Sequence, residues 1–127
     1  MSVAYLDTHA AIFLAAGAVE EFNKDAKRQI EANDLLISPM VYLEFDYLFR
    51  RGKIRVQAKK LLSILSLDFG IQQCQIPFAR VAKEASEIQW TNDPFDRIIV
   101  AQAIANQESI LITRDKQITK HYRKASW

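Results

Sequence analysis

Four acidic residues are the side chains of this sequence best suited to chemistry. They are Asp7, Glu44, Asp96 and Asp115, and long stretches of chain separate most of them. If folding gathers them in one crevice, they repel one another and some stay protonated unless positive charge lies among them. A divalent cation supplies that charge, and hard oxygen ligands are typical of Mg²⁺ or Mn²⁺ sites. Because such a metal activates water and orients a phosphate, the acids predict hydrolysis of a phosphodiester bond.

Glu44 and Asp96 give the strongest signal because each lies on an apolar side of a predicted helix. At about 100° per residue, Val41 and Leu48 flank Glu44, and Ile99 lies one turn beyond Asp96 on the same side. A buried carboxylate without a partner is costly or shifts its pKa upward. A buried salt bridge is one solution, and a bound cation is the other.

Asp7 and Asp115 have an equally good explanation as helix caps. Asp7 directly follows the first predicted strand, and Asp115 comes two residues after Thr113, where a later strand ends. Asp93 and Asp96 together also resemble a capping arrangement, since helix N-termini favour acids. Taken singly, each of these acids is more typical of a cap than of a functional site.

The elements that position the acids alternate between strands and helices. Strands are predicted over residues 3–6, 35–38, 71–76 and 109–113, and helices over residues 8–16, 20–32, 39–51, 56–67, 77–88 and 94–107, with a short helix and an edge strand at the end. This alternation predicts an α/β fold, with helices on both faces of a mostly parallel sheet. Ligands of such sheets bind beyond the carboxyl ends of the strands, where Asp7, Asp96 and Asp115 are expected to meet.

Composition indicates an ordinary soluble protein. The 127 residues, 50% of them hydrophobic and 25% charged, fit a single domain over residues 1–127. The lone cysteine, Cys74, forms no internal disulfide, which fits a reducing cytoplasm, and it is expected to be a small core residue. No signal peptide or run of about 18 apolar residues is present, so a membrane location is not expected. His9 and His121 are isolated, which argues against zinc, and each is expected to be a packing or surface residue.

Basic residues are concentrated between positions 50 and 60. Six of them occur there without an acidic residue among them: Arg50, Arg51, Lys53, Arg55, Lys59 and Lys60. A basic rim beside acidic pockets suits a polyanion, because it attracts phosphates that the acids repel. The same run is also typical of a solvated helix face.

Four blocks of residues, in order along nearly the whole chain, resemble the PIN-domain ribonuclease toxins of the VapC type, which belong to type II toxin–antitoxin systems. The blocks are Asp7-Thr8-His9; Ser38 to Glu44 with Arg50-Arg51-Gly52-Lys53; Asp93-Pro94-Phe95-Asp96-Arg97 with the apolar helix that follows; and Thr113-Arg114-Asp115. The resemblance implies a three-layer α/β/α sandwich and a Mg²⁺-dependent endoribonuclease, with Mn²⁺ as the other candidate metal. It also implies an RNA substrate, a cognate VapB-type antitoxin and a homodimer.

The resemblance also assigns roles to particular side chains. The acids that it assigns to the metal and to catalysis are Asp7, Glu44, Asp96 and Asp115. Thr113 and Thr8 would hydrogen-bond the acids or a metal-bound water, and Asp93 would support or cap the site. Arg50, Arg51, Lys53 and Arg55 are the candidate RNA-binding residues, unless that stretch forms the antitoxin or dimer contact instead.

Two other classes of protein share parts of this pattern. Aspartyl-phosphate phosphatases and receiver domains also place an Asp after the first strand of a parallel sheet. However, His9 stands where such phosphatases need a second acid, and only Lys116 would supply the lysine that receiver domains need. A catalytically silent PIN-like module that only binds protein or RNA is the other alternative, and loss of acids is its usual sign.

Overall fold

The computed structural model describes residues 2–127, and five short parallel strands form a sheet at the centre of that part of the chain. The strands are β1 (Val3–Leu6), β2 (Asp34–Ile37), β3 (Gln72–Gln73), β4 (Ile110–Ile112) and β5 (Ala125–Ser126). Their order is β3-β2-β1-β4-β5, and every neighbouring pair is parallel. Helices make the crossovers that parallel strands require.

The helices connect these strands in sequence. They are α1 (Thr8–Ala15), α2 (Lys24–Ala32), α3 (Pro39–Arg50), α4 (Ala58–Phe69), α5 (Phe78–Ser86), α6 (Pro94–Ala105) and α7 (Lys116–His121). Local chemistry explains several of their ends. Ser38 caps α3, whose first residue is proline, and Gly70 ends α4 in the left-handed conformation at φ +66°.

Burial shows that helices cover both faces of the sheet. In β1, Ala4, Tyr5 and Leu6 are all buried, although successive strand residues point to opposite faces. Leu111 and Ile112 of β4 are likewise fully buried. The predicted α/β fold, with layers of helices on the two sides of a parallel sheet, is therefore confirmed.

The order of the strands reverses beside β1. The chain runs outward from β1 to β2 and β3, and then returns to place β4 on the other side of β1. Ligands of open α/β sheets bind at such a switch point, beyond the carboxyl ends of the strands. Asp7 follows β1 at this edge, and its backbone N–H donates to the Ile112 carbonyl oxygen at 3.0 Å, so the two strand ends are joined there.

Two predicted elements differ from the structure. The helix predicted over residues 20–32 is divided into a 3₁₀ turn (Val19–Glu21) and α2, with Asn23 between them in an extended conformation. The strand predicted over residues 71–76 pairs only at Gln72 and Gln73, because it lies at the edge of the sheet and the chain soon turns into α5.

The cysteine of this chain lies in the core. Cys74 is a buried free thiol that accepts a hydrogen bond from the Tyr5 hydroxyl, with 3.0 Å between oxygen and sulfur. It is therefore a packed core residue, as expected.

Within residues 2–127, no helix combines the length and the apolar character needed to cross a bilayer.

Candidate functional site

One pocket contains all four acids that the sequence singles out. It has a volume of about 370 Å³ and is lined by Asp7, His9, Glu44, Asp93, Asp96, Arg114 and Asp115. We call it the acid pocket. Five carboxylates from the ends of β1 and β4 and from α3 and α6 thus share one concavity with a single arginine and a single histidine.

Hydrogen bonds hold both carboxylate oxygens of Asp7. The backbone N–H of Thr8 donates to Oδ1 at 2.7 Å, and the Thr113 hydroxyl donates to Oδ2 at 2.6 Å. Thr113 is itself buried after β4, so it ties the residue after β1 to the neighbouring strand. Burial raises the pKa of the Asp7 carboxyl, and the hydrogen bonds from Thr113 and Thr8 oppose that shift.

Glu44 enters the acid pocket from α3. The buried Thr8 hydroxyl donates a hydrogen bond to its Oε1 atom. Val41 and Phe45 on the same helix are fully buried, which places Glu44 beside the core as its helical position predicts. Burial raises the pKa of the Glu44 carboxyl, the bond from Thr8 lowers it, and the charges of Asp7 and Asp93 raise it further.

Asp96 is the acid without a partner. Among residues 2–127, no hydrogen bond or salt bridge reaches its carboxylate. Burial raises the pKa of the Asp96 carboxyl to about 7, and the charges of Asp93, Asp115, Asp7 and Glu44 add to the effect. A cation beside the Asp96 carboxylate would therefore stabilise its charged form.

Three of the acids that line the pocket are also helix caps. Asp7, Asp93 and Asp115 are the N-cap residues of α1, α6 and α7, and each accepts hydrogen bonds from backbone N–H groups. Asp93 and Asp115 use only their Oδ1 atoms as caps. Within the described chain, their Oδ2 atoms accept no hydrogen bond, so one oxygen of each remains available for another ligand. Capping by these residues therefore does not exclude a role for them in the pocket.

The donor atoms of the acid pocket fit a hard divalent cation. Five carboxylates supply oxygen ligands, and within residues 2–127 no salt bridge reaches the Asp96 carboxylate. Nevertheless, no three His, Cys, Asp or Glu side chains within residues 2–127 stand close enough together to hold a metal ion as they are. A cation would have to draw these side chains inward.

The basic residues proposed to bind RNA lie elsewhere on the surface. Arg50 forms an ion pair with Asp46, with 2.7 Å between Nε and Oδ2, and Arg51 donates to the Tyr47 hydroxyl at 3.1 Å. Lys53 and Arg55 are exposed. None of the four basic residues lines the acid pocket, so any contact they make with a polyanion would lie outside it.

Two residues of the pocket, His9 and Arg114, had no role in the sequence-based interpretation. His9 was expected to be a packing or surface residue, and it is an exposed side chain that lines the acid pocket. Each of these two residues is near a predicted acid in the sequence, His9 two positions after Asp7 and Arg114 directly before Asp115. Their proximity to the predicted acids was the sequence signal that could have identified them as pocket residues.

The raised pKa values give a first prediction. In metal-free protein, the free energy of unfolding should fall as pH rises from about 4 to about 7, because folded Asp96 still holds a proton that the unfolded chain has released. One such group contributes at most about 1.4 kcal/mol per pH unit. Urea denaturation across this range measures the slope. The Asp96→Asn variant should show a flatter profile, and an equal slope in both proteins would contradict the assignment.

Comparisons with known proteins are consistent with this architecture. A family model of the PIN domain matches residues 4–124. No curated protein sequence matches the chain. One similar solved structure is the crystal structure of VapBC2 from Rickettsia felis bound to a DNA fragment from their promoter, with 17% sequence identity and a TM-score of 0.66. The alignment covers 98% of both chains, and at this identity the likeness concerns the fold.

Proposed function

The chain belongs to the PIN domain family, and on that premise we propose that it is a Mg²⁺-dependent endoribonuclease and the toxin of a VapBC-type toxin–antitoxin system. The observation that carries the proposal is the convergence of Asp7, Glu44, Asp96 and Asp115 in one pocket at the switch point of the sheet. The nuclease activity typical of the family and the carboxylate chemistry point to the same reaction. Mn²⁺ has the same preference for oxygen ligands and should substitute for Mg²⁺.

In the proposed mechanism, Asp7 and Asp96 would hold the metal most directly. When bound there, Mg²⁺ would lower the pKa of a water molecule and neutralise charge on the phosphate. Thr8 and Thr113 fix both oxygens of Asp7, so this ligand is oriented before anything binds. Glu44 and Asp115 would complete the set of residues around the metal and would accept hydrogen bonds from the attacking water. The attack on phosphorus is in line, with no covalent enzyme intermediate.

The experiment that tests this function is the sequencing of RNA 5′ ends after brief, controlled expression of the chain in cells. New ends at defined sites are expected, together with their loss in an Asp96→Asn variant. Co-expression of a protein encoded beside this chain should suppress them if that protein is the antitoxin. A catalytically silent binding module would instead leave the RNA ends unchanged while the chain still bound its partner.

The proposed antitoxin partner rests on the structural likeness. The similar structure contains VapBC2 bound to promoter DNA. We therefore propose a VapB-type protein as the cognate partner of this chain. An arginine or lysine of the antitoxin placed among the acids would neutralise them as a metal does, through charge-assisted hydrogen bonds.

We further propose that the chain forms a homodimer through an apolar face on α3, α5 and α6. A groove on this face is lined by Met40, Val81 and Ile98 among others, and two further lining residues, Leu43 and Phe78, are 54% and 63% exposed. An apolar groove with exposed side chains in its lining can pair with the same face of a second copy by twofold symmetry. Gln102 also lines the groove, and its buried Nε2 atom has no hydrogen-bond partner within residues 2–127.

The homodimer gives a second prediction. The Phe78→Glu variant should elute as a monomer in size-exclusion chromatography with light scattering, because a charge in a packed apolar contact has to be desolvated. Leu67→Glu is the matched control, since Leu67 is 82% exposed on α4 and does not line the groove. A monomeric parent chain, or equal dissociation of both variants, would contradict this interface.

A further inference from the structure

Arg114 is the only arginine or lysine within residues 2–127 that lines the acid pocket. It neutralises none of the five carboxylates there. Its single salt bridge joins Nη1 to Oε2 of Glu21 at 3.5 Å. Its guanidinium carbon lies 4.6 Å from the centroid of the Phe13 ring, a cation–π distance. The cation therefore lies at the rim of the pocket, held by residues that are not acids of the site.

The aromatic side chain beneath Arg114 is firmly supported. The Phe13 ring packs against Phe22 and Trp127, with 6.4 Å and 6.2 Å between ring centroids, and Phe22 is buried. Phe13 thus offers a fixed surface on which a guanidinium can lie flat. The ion pair with Glu21 is long and half-exposed, so it contributes little energy and can be exchanged for a stronger acceptor.

Most of the hydrogen-bonding capacity of Arg114 is unused. A guanidinium has five N–H donors, and within the described chain no hydrogen bond involves the Arg114 side chain. Arginine binds phosphate with two parallel hydrogen bonds, a geometry that lysine cannot reproduce. A planar donor at the edge of a carboxylate pocket is suited to an anion that the carboxylates alone would repel.

We propose that Arg114 binds a phosphate of the RNA next to the scissile one, and that Phe13 and Glu21 position it for this contact. This inference rests on the proposed function, because it assigns a substrate contact to the same pocket. In this proposal, Arg114 makes the phosphate contact nearest to the acids. The basic residues between positions 50 and 60 do not make it, because none of them lines the pocket. Arg114 is a substrate-binding residue in this proposal, and the acids perform the chemistry.

The test measures the binding of a short fluorescent single-stranded RNA by anisotropy, in an Asp96→Asn background so that the RNA stays intact. Adding Arg114→Gln should weaken binding about tenfold, as expected for one charge-assisted phosphate contact. The slope of log K against log salt should become shallower by about 0.7, the value for one phosphate contact on a single strand. Phe13→Leu should weaken binding less, because it removes the cation–π contact and keeps the apolar packing.

Arg123→Gln is the matched control. Arg123 is also an exposed arginine in a long pair with a glutamate, since Nη2 lies 3.6 Å from Oε2 of Glu108, but it does not line the acid pocket. Its replacement should change binding and salt slope much less than Arg114→Gln does. Equal losses in the two variants, or unchanged binding by Arg114→Gln with a normal melting temperature, would overturn the proposal.

Binding of a single-stranded DNA of the same sequence is measured as well, so that failure of this inference can be distinguished from failure of the proposed function. If the chain with Asp96 intact cleaves no RNA but Arg114→Gln still selectively weakens binding of both strands, the phosphate contact stands and the nuclease assignment fails. If the chain cleaves RNA and Arg114→Gln leaves binding, salt slope and cleavage unchanged, the function stands and the role of Arg114 is refuted.

Discussion

Asp96→Asn is expected to reduce RNA cleavage by roughly a thousandfold or more, equivalent to about 4 kcal/mol of lost transition-state stabilisation. The amide keeps the shape of the side chain but has no charge with which to hold a cation. The same substitution should stabilise the metal-free protein at pH 8, because it removes a carboxylate whose pKa is raised to about 7 by burial and by four neighbouring acids. Loss of activity together with a gain in stability distinguishes a site residue from a structural one.

The matched control for this prediction is Asp46→Asn. Asp46 is a helical acid on α3 that pairs with Arg50 and lies outside the acid pocket. Its replacement should leave cleavage within about twofold of the parent, because Asp46 does not line the pocket and its exposed ion pair contributes little to the stability of the fold. Cleavage rates with a purified RNA and melting temperatures at pH 8 provide both readouts. Cleavage by Asp96→Asn at the parent rate would refute the assignment of Asp96.

Helical periodicity was the sequence signal that best indicated the site. Glu44 and Asp96 were predicted to face apolar surroundings, and in the structure burial is the first cause of the raised pKa of each. Asp7 and Asp115 were ambiguous for a physical reason. A helix cap and a pocket ligand require the same residue type at the same place, after a strand and before a helix, and a carboxylate has enough oxygens for both.

The side-chain contacts of Arg114 were not predictable from local sequence. Its contacts with Phe13 and Glu21 come from residues near the other end of the chain, which the sheet brings beside β4. The density of basic residues along the sequence instead favoured the run between positions 50 and 60 as the RNA-binding residues. The structure places Arg50 in an ion pair with Asp46 and leaves Lys53 exposed. Charge density in sequence therefore did not coincide with charge near the acids.

The fold was predictable at the level of class and order, and less so at its edges. Buried strands such as β1 and β4 are recognisable as apolar runs, because helices cover both faces of the sheet there. The edge strand β3 has only Gln72 and Gln73 paired, and its sequence gave no sign of where pairing stops. Pairing at an edge depends on the path of the chain beyond it, here the turn into α5.

Removal of divalent metal is expected to abolish cleavage, and Mg²⁺ or Mn²⁺ should restore it. Because no three acids are arranged to hold an ion within residues 2–127 as described, binding must draw them together and should raise the melting temperature. The rise should be larger at pH 8 than at pH 6, since Asp96 must release its proton to bind a cation and its pKa is about 7. Thermal melting across a Mg²⁺ titration at both pH values, with and without a chelator, measures this.

The two readouts separate the metal site from the reaction. In Asp96→Asn both the Mg²⁺-dependent rise in melting temperature and cleavage should disappear, whereas Arg114→Gln should keep the rise and lose RNA affinity. Cleavage at the full rate in excess chelator would contradict the metal proposal outright. A rise in melting temperature that is equal at pH 6 and pH 8 would place the ion elsewhere, because the protonation of Asp96 would then not compete with its binding.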